Sequence, residues 1–419
     1  MASRPDGESS VMRSIASALP LGVAAVLVAS AALAQQPVIS GATPLKPSVE
    51  KNPLRFGTDE AYVSIAPFFQ FEPGHISSSP NEILDNVDDT DAWFRRARLY
   101  IDFGLYDFGG RYAADFGGDS GPDTIYAYLD WNFNKNGTIQ VGQQENQFSM
   151  QSLIGSRSAL FNENGTNATL QPQAAVGAAL FYGQENYSLG AGVFGADIND
   201  EQPLGEGTTV SARATYAPLY GPDASIHLGA ALSASFDTGI PRSFSGSNGT
   251  ALFEVSPITT GAYNDVDDYL AANLEFGAAV GRFTVQSEYT FGEVEDGQRD
   301  EAFLHGGYLG ILAFLTEDHR DYDGKYGIFK RVKPKDPITK GGGFGALEIG
   351  GRLDYLDLSE ASDAAADASG RQIGGTGIVN WYLNDKLRLS ASDTYTAVVD
   401  GPNDGDEINT AIFRVWFVY

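Results

Sequence analysis

The chain has 419 residues, a net charge of −27, 25 Phe, 20 Tyr, 49 Gly and no cysteine. Without cysteine there is neither a disulfide framework nor a thiolate zinc site, and so large an acidic excess argues against nucleic-acid binding, which needs clustered Lys and Arg to meet phosphates. The length allows two or three soluble domains or one large β-architecture, and the Gly and aromatic content favours many strands and tight turns.

Met12-Arg13 precede an apolar run, Ser14–Ser30, and Ala32-Leu33-Ala34 stands before Gln35. A basic start, a short apolar core and an A-x-A site predict a secretory signal peptide over residues 1–34. A membrane anchor is the alternative, disfavoured because the core is short and rich in small residues. Residues 35–60 are polar, contain proline and show no periodicity, and are expected to be a flexible or lumen-lying N-terminal segment. No later stretch offers the roughly 18 apolar residues of a transmembrane helix, so an exported chain of this kind is periplasmic, secreted or an outer-membrane barrel.

Alternation begins at Ala61, where Val63, Ile65, Pro67, Phe69 and Phe71 share one face and Ser64, Ala66 and Gln70 the other. Glu72–Asp91 reads as a long acidic loop. Phe94–Leu105 alternates next, Asp107–Gly110 is a tight turn, and Arg111–Phe116 and Thr124–Asn132 follow. Asn134-Lys135-Asn136-Gly137 is a hairpin signal. Thr138–Gln143 leads into a long insert, and Ala174–Tyr182, Tyr187–Phe194, Thr208–Ala217, Ala224–Phe236, Tyr269–Val280, Arg282–Val294 and Phe303–Leu315 continue the pattern. After a second insert, Thr316–Gly343, come Ala346–Leu358, Arg371–Leu383, Lys386–Thr396 and the closing strand Glu407–Tyr419. The total is sixteen strands, most near the roughly 9–11 residues of a tilted membrane strand.

The closing strand alone fits either the buried end of a soluble sandwich or the last strand of a barrel. Loop lengths favour the barrel, because short turns and long loops fall on opposite ends, as in outer-membrane barrels. Only Thr316–Gly343 departs from that split. The predicted fold is an all-β, 16-stranded antiparallel transmembrane β-barrel with lumen-folded inserts, formed by residues 61–419 as one domain.

FRRARLYIDFG (Phe94–Gly104), IYAYLDW (Ile125–Trp131), VGQQENQFSMQSLIGSR (Val141–Arg157), LTEDHRDYDGKYGIFKRVKP (Leu315–Pro334), ALEIGGRLDYLDL (Ala346–Leu358) and VNWYLNDKLRLS (Val379–Ser390) resemble the phosphate-selective porin family, the porin O and porin P group. The resemblance implies a trimeric outer-membrane channel with a sixteen-stranded barrel, inward arginines and inserts that narrow the lumen. It also implies that Thr316–Gly343 folds back as a cationic constriction and that Phe148–Phe161, with Met150–Ile154 at helical spacing, is an inward third loop. The family's phosphate channels combine an arginine ladder with a lysine cluster near the mouth, whereas this chain has few lysines and acidic loops.

Alternation places Arg96, Arg98, Arg111, Arg213, Arg352, Arg388 and Arg414 opposite the apolar stripe, hence inward; a lipid-facing Arg at mid-depth would cost about 2–4 kcal/mol. Asp102, Asp115, Asp130, Glu348 and Asp354 share that face, so the arginines read either as anion ligands or as a wall of salt bridges. Lys325, Lys330, Arg331, Lys333, Lys335 and Lys340 form a basic run interrupted by Asp336 alone; the alternative to a lumen constriction is a solvated loop. Arg157 joins the candidate pore-lining set, and Glu145 and Glu163 are placed to oppose anions near it.

His75, His227, His305 and His319 lack metal-ligand spacing, and Asp85–Asp91 departs from a calcium loop at Val87. The Asn136, Asn164, Asn167 and Asn248 sequons read first as turn signals. No nucleophile–base pair or P-loop stands out, so neither enzyme activity nor a cofactor or metal is expected. The expected function is passive diffusion of small anions, phosphate or related oxyanions first, through an outer-membrane homotrimer. Outer-membrane lipid and the assembly machinery, at the C-terminal strand, are the expected partners. A general or cation-preferring porin and a non-conducting structural or adhesin barrel are the alternatives.

Overall fold

The computed structural model describes residues 54–79, 87–118, 121–200, 207–236, 242–253, 255–264, 266–297, 299–361 and 368–419. The expected signal peptide, residues 35–53 of the segment after it, and Asp85 of the calcium-loop comparison lie outside the described residues. The rest of that segment is a short hairpin, with Arg55–Gly57 paired antiparallel to Tyr62–Ser64.

Sixteen long strands follow one another around the barrel: β1 (Ala61–Ser78), β2 (Asp88–Leu105), β3 (Phe108–Asp115), β4 (Asp123–Trp131), β5 (Gly137–Gln144), β6 (Ala175–Gly183), β7 (Tyr187–Phe194) and β8 (Thr208–Tyr220). The second half is β9 (Ala224–Phe236), β10 (Val266–Val280), β11 (Phe283–Asp296), β12 (Ala302–Phe314), β13 (Ala346–Asp357), β14 (Arg371–Tyr382), β15 (Leu387–Asp400) and β16 (Glu407–Val418). Each pairs antiparallel with the next, and β16 pairs with β1 from Phe68↔Val418 to Ser78↔Ile408, which closes the sheet. Closure leaves no edge of unpaired backbone groups, the condition for strands to stand in lipid.

Every predicted strand is present, and the differences lie at the ends. Glu72–Ser78 and Asp88–Asp91, expected in a loop, are strand: β1 runs on to Ser78 and β2 begins at Asp88, with Gly74↔Asp91 and Ser77↔Asp88 in register. Past the apolar band both faces are polar, so alternation disappears while the hydrogen-bond ladder continues. Likewise Phe108–Gly110 belongs to β3, and the turn is Tyr106-Asp107, with Tyr106 at φ 54°.

Outward positions carry the exposed apolar side chains, among them Phe69, Phe103, Leu129, Leu274, Leu353 and Phe413. So wide an apolar exterior suits hydrocarbon rather than water. Inward positions are filled by inserts. Met150–Ile154 forms a short helix, α1, whose N-cap Ser149 side chain accepts from the Ser152 amide. Its Met150 and Ile154 pack with Leu160 and Phe161, with Tyr322 and Phe329 of the second insert, and with Leu312 and Ile378 of the wall. Both inserts that resemblance implied to fold inward therefore meet in the lumen.

A further segment does the same without having been foreseen. Arg242–Ser245 pairs with Thr259–Tyr263, and Phe244, Ile258 and Tyr263 are buried with Phe148, Leu170 and Leu304. Thr250 Oγ1 donates to Glu72 Oε1 at 2.8 Å and Gln372 Nε2 to the Ser247 carbonyl at 2.8 Å.

Candidate functional site: the charged lumen

Period-two alternation puts Arg96 and Arg98 inward, and by the same rule Arg95 would face lipid. The β1–β2 ladder shifts between Gln70↔Arg96 and Phe71↔Phe94, so Arg95 is the extra residue of a β-bulge. A bulge inserts one unpaired residue and so re-aims a side chain. Arg95 thereby donates from Nε and Nη2 to Glu163 at 3.0 and 3.1 Å, while Phe94 still packs on Phe71.

Glu163, from the first insert, is the hub of this group. Arg414 Nη2 lies 2.6 Å from its Oε1 and Arg96 Nη2 3.8 Å from its Oε2. Arg414 also donates to Glu72 and to the Asn162 carbonyl. Burial alone would raise the Glu163 pKa, but the Arg95, Arg414 and Arg96 guanidiniums outweigh it and hold the carboxyl well below its ordinary range. Glu163 therefore neutralises arginines rather than repelling anions. Glu145 has another role, accepting from the Tyr126 hydroxyl at 2.8 Å.

Three wall arginines are paired along the sheet: Arg98 with Asp115 at 2.6 Å, Arg111 with Asp102 at 2.6 Å, and Arg352 with Asp354 at 2.7 Å. For these the salt-bridge wall holds.

Arg213 does something else. Its Nε and Nη2 donate to the two Glu275 oxygens at 2.8 Å each, and the remaining donors reach the Tyr326 and Gly327 carbonyls of the second insert at 3.1 and 2.8 Å. His227 bridges the same Glu275 (2.9 Å) to the Tyr322 hydroxyl (2.6 Å). Arg320, at the start of the insert, donates through Nη2 to both Glu348 oxygens at 2.9 Å and to the Tyr382 hydroxyl at 3.1 Å. The first half of the insert is thus clamped by buried, charge-assisted hydrogen bonds. Its backbone also runs hard against the β6–β7 turn, where a Cβ on Gly324 would stand 1.7 Å from the Glu185 carbonyl oxygen.

The basic run divides. Lys325 Nζ donates to the Lys135 carbonyl at 3.0 Å, Lys330 lies 3.6 Å from Asp323, and Lys335 Nζ donates to the Glu317 carbonyl at 2.6 Å. Arg331 lines a small lumen recess with Arg157, Arg320, Lys386 and Arg388, and Asp385 is the sole acid in that lining. Arg157 sits over the Tyr100 ring at 4.3 Å, and Arg388 over Trp416 at 4.1 Å. Arg388 donates to Asn380 Oδ1 and to the Ala159 and Leu160 carbonyls rather than to a carboxylate. Burial, then the nearby Arg111 and more weakly Arg331, depress the Arg157 pKa. Lys333, grouped with these in the sequence, is not part of that lining.

Of the predicted arginines, Arg157, Arg331 and Arg388 converge on the recess, while the others pair with carboxylates or secure the inserts. Arg95, Arg320 and Glu72 were missed. Arg320 stands inside the HRDYDG run that carries the resemblance; Arg95 is hidden by its bulge, and Glu72 by the polar strand extension.

A profile of the phosphate-selective porin O and P family matches residues 77–399. An uncharacterized protein of Caulobacter vibrioides is 27% identical over 271 residues, 60% of this chain and 52% of its own length. Porin O of Pseudomonas aeruginosa is 29% identical over 175 residues, 39% of this chain and 38% of its own. The chain thus spans about half or less of the length of these curated relatives. Two solved barrels share the fold. The outer membrane channel DcaP of Acinetobacter baumannii has TM-score 0.52 at 11% identity, covering 87% of this chain and 99% of its own. The anion-selective porin from Comamonas acidovorans has TM-score 0.50 at 11% identity, covering 86% and 100%. With the family profile covering most of a closed sixteen-stranded barrel, the chain belongs to the family of phosphate-selective porins O and P, a family of porins and not of enzymes.

Proposed function

We propose that the protein is an outer-membrane porin that passes small anions, phosphate and related oxyanions first among them. The observation that carries this is the recess of Arg157, Arg331 and Arg388, with five basic side chains in its lining against Asp385 alone. An ion entering a narrow lumen sheds part of its water, and guanidinium N–H groups replace that water for oxyanions by paired hydrogen bonds. Three lumen carboxylates that would oppose anions, Glu163, Glu275 and Glu348, each face arginine. Family membership supports the same reading, and by the same resemblance the working unit is a homotrimer in outer-membrane lipid, inserted after signal-peptide removal by machinery that engages the final strand.

Planar-bilayer recording under a salt gradient tests the proposal. Reversal potentials are expected to show anion preference, and phosphate to compete with chloride. A clear cation preference would overturn the anion claim and leave a cation-preferring porin. One observation favours a second reading: three segments fold into the lumen, as a plugged, non-conducting structural or adhesin barrel requires. Absence of single-channel current from folded protein would establish that alternative.

A further inference from the structure

Asp393 stands exposed on the outer face of β15, between the inward, buried Ser392 and Thr394. It lies six residues beyond Leu387, at the short-turn end of that strand. At roughly 3.3 Å per residue and a tilt of about 40°, that places it about 15 Å into an apolar band about 25 Å tall. Its cross-strand neighbours are Gly377 and Ala411, and a Cβ on Gly377 would meet nothing within 4 Å. Asp393 has no hydrogen bond or ion pair among the described residues. Other outward acids, such as Glu295, Asp357 and Glu407, stand at the long-loop ends of their strands, where water reaches them. A second polar group of the outer wall also lacks a partner. Tyr112 faces outward from β3 beside Ile101 and Ala127, 46% exposed, and its hydroxyl has no hydrogen bond among the described residues. It is four residues from Phe108, the short-turn end of β3, hence about 10 Å into the band by the same measure, with the ring carrying the hydroxyl several ångströms further out.

Hydrocarbon offers a carboxylate no donor and a phenol no acceptor, and an ionisable group at that depth is costly unless another group meets it. Lipid head groups lie outside the band. Within one copy the two residues cannot meet, because β15 and β3 are four strands apart, roughly 19 Å at about 4.8 Å per strand. They do lie symmetrically about β1, two strands to either side. A three-fold axis running beside β1 sets the β15 flank of one copy against the β3 flank of the next, at comparable depth. We infer that this face is where copies of the chain meet, the Tyr112 hydroxyl of one copy donating to the Asp393 carboxylate of its neighbour. The small Gly377, Ala391 and Ala411 around Asp393 let the neighbouring wall approach closely. The inference rests on the homotrimer reading above and says which surfaces form the trimer.

The chain has no native cysteine, so Tyr112→Cys/Asp393→Cys can be treated in outer-membrane vesicles with a short bis-methanethiosulfonate, which enters hydrocarbon. The two thiols are too far apart to be bridged within one copy. Cross-linked dimers and trimers, reversed by reductant, are expected on a denaturing gel. The pair Tyr112→Cys/Leu274→Cys, with Leu274 outward on β10, should stay monomeric on the same gel. Tyr112→Phe removes the hydroxyl alone and should raise dissociation of the trimer in detergent about tenfold, as for loss of one hydrogen bond to a charged group, with the urea unfolding midpoint of the barrel unchanged. No cross-link at 112 and 393, an equal cross-link in the Leu274 pair, or wild-type dissociation in Tyr112→Phe overturns the interface. A monomeric mass for the wild-type protein in mild detergent would instead sink the homotrimer reading, so the two failures are distinguishable.

Discussion

Arg414 is completely buried on the lumen side of β16, and it is tolerated there because Glu72, Glu163 and the Asn162 carbonyl surround its guanidinium. Removing Arg414 leaves the buried Glu72 carboxylate without the guanidinium it faces. Arg414→Met should therefore cost about 3–5 kcal/mol, measured as the shift in urea unfolding of the folded barrel in detergent. Glu163 adds a pH dependence. Its folded pKa is depressed, so its contribution is present above the ordinary carboxylate range and is lost only as pH falls through the lower folded value. Acid unfolding followed by tryptophan fluorescence should show this limb, and Glu163→Gln should remove it. At this scale the sequence was legible in part. That Arg414 faces inward follows from Phe413 and Val415 on either side; that its partners are Glu72 and Glu163 does not, because Glu163 is 251 residues away along the chain.

Among the elements, the second insert matters most, because it carries Arg331 into the lumen and is held by Arg213, His227 and Arg320. Replacing Lys330, Arg331 and Lys333 together by Gln should lower the anion-to-cation permeability ratio, read from reversal potentials; an unchanged ratio would locate the filter elsewhere. Gly324→Val would drive side-chain atoms into the Glu185 carbonyl. Overpacking of this kind costs about 1–3 kcal/mol, and here the strain should displace the insert, raising conductance and exposing it to protease. The inward course of both long inserts followed from resemblance, not from periodicity. The hairpin Arg242–Ser245 with Thr259–Tyr263 gave no such signal, since its burial depends on Phe148, Leu170 and Leu304, which are distant in sequence.

For the whole molecule the decisive contact is the seam, where Phe69 faces Phe417, with ring centroids 6.3 Å apart, and the Tyr419 amide donates to the Pro67 carbonyl at 3.1 Å. The chain has no native cysteine, so a Phe69→Cys/Phe417→Cys pair is a clean probe. Oxidation should join the two ends of the barrel and alter the electrophoretic mobility of the denatured protein, reversed by reductant. Failure of the pair to cross-link in folded protein would contradict this closure.

The number of strands, their order and, the Arg95 bulge apart, their inward and outward faces were determined by sequence alone, because period two and turn length are local properties that each segment carries independently. The family resemblance was also legible in contiguous motifs. Which arginines gather in one lumen recess was decided only in three dimensions. Arg157, Arg331 and Arg388 come from an insert on the β5 side, an insert after β12 and strand β15, and they meet in one recess only because the barrel closes around both inserts. A charge is read off its own residue; whether it is spent on a neighbour depends on chain brought back from far away.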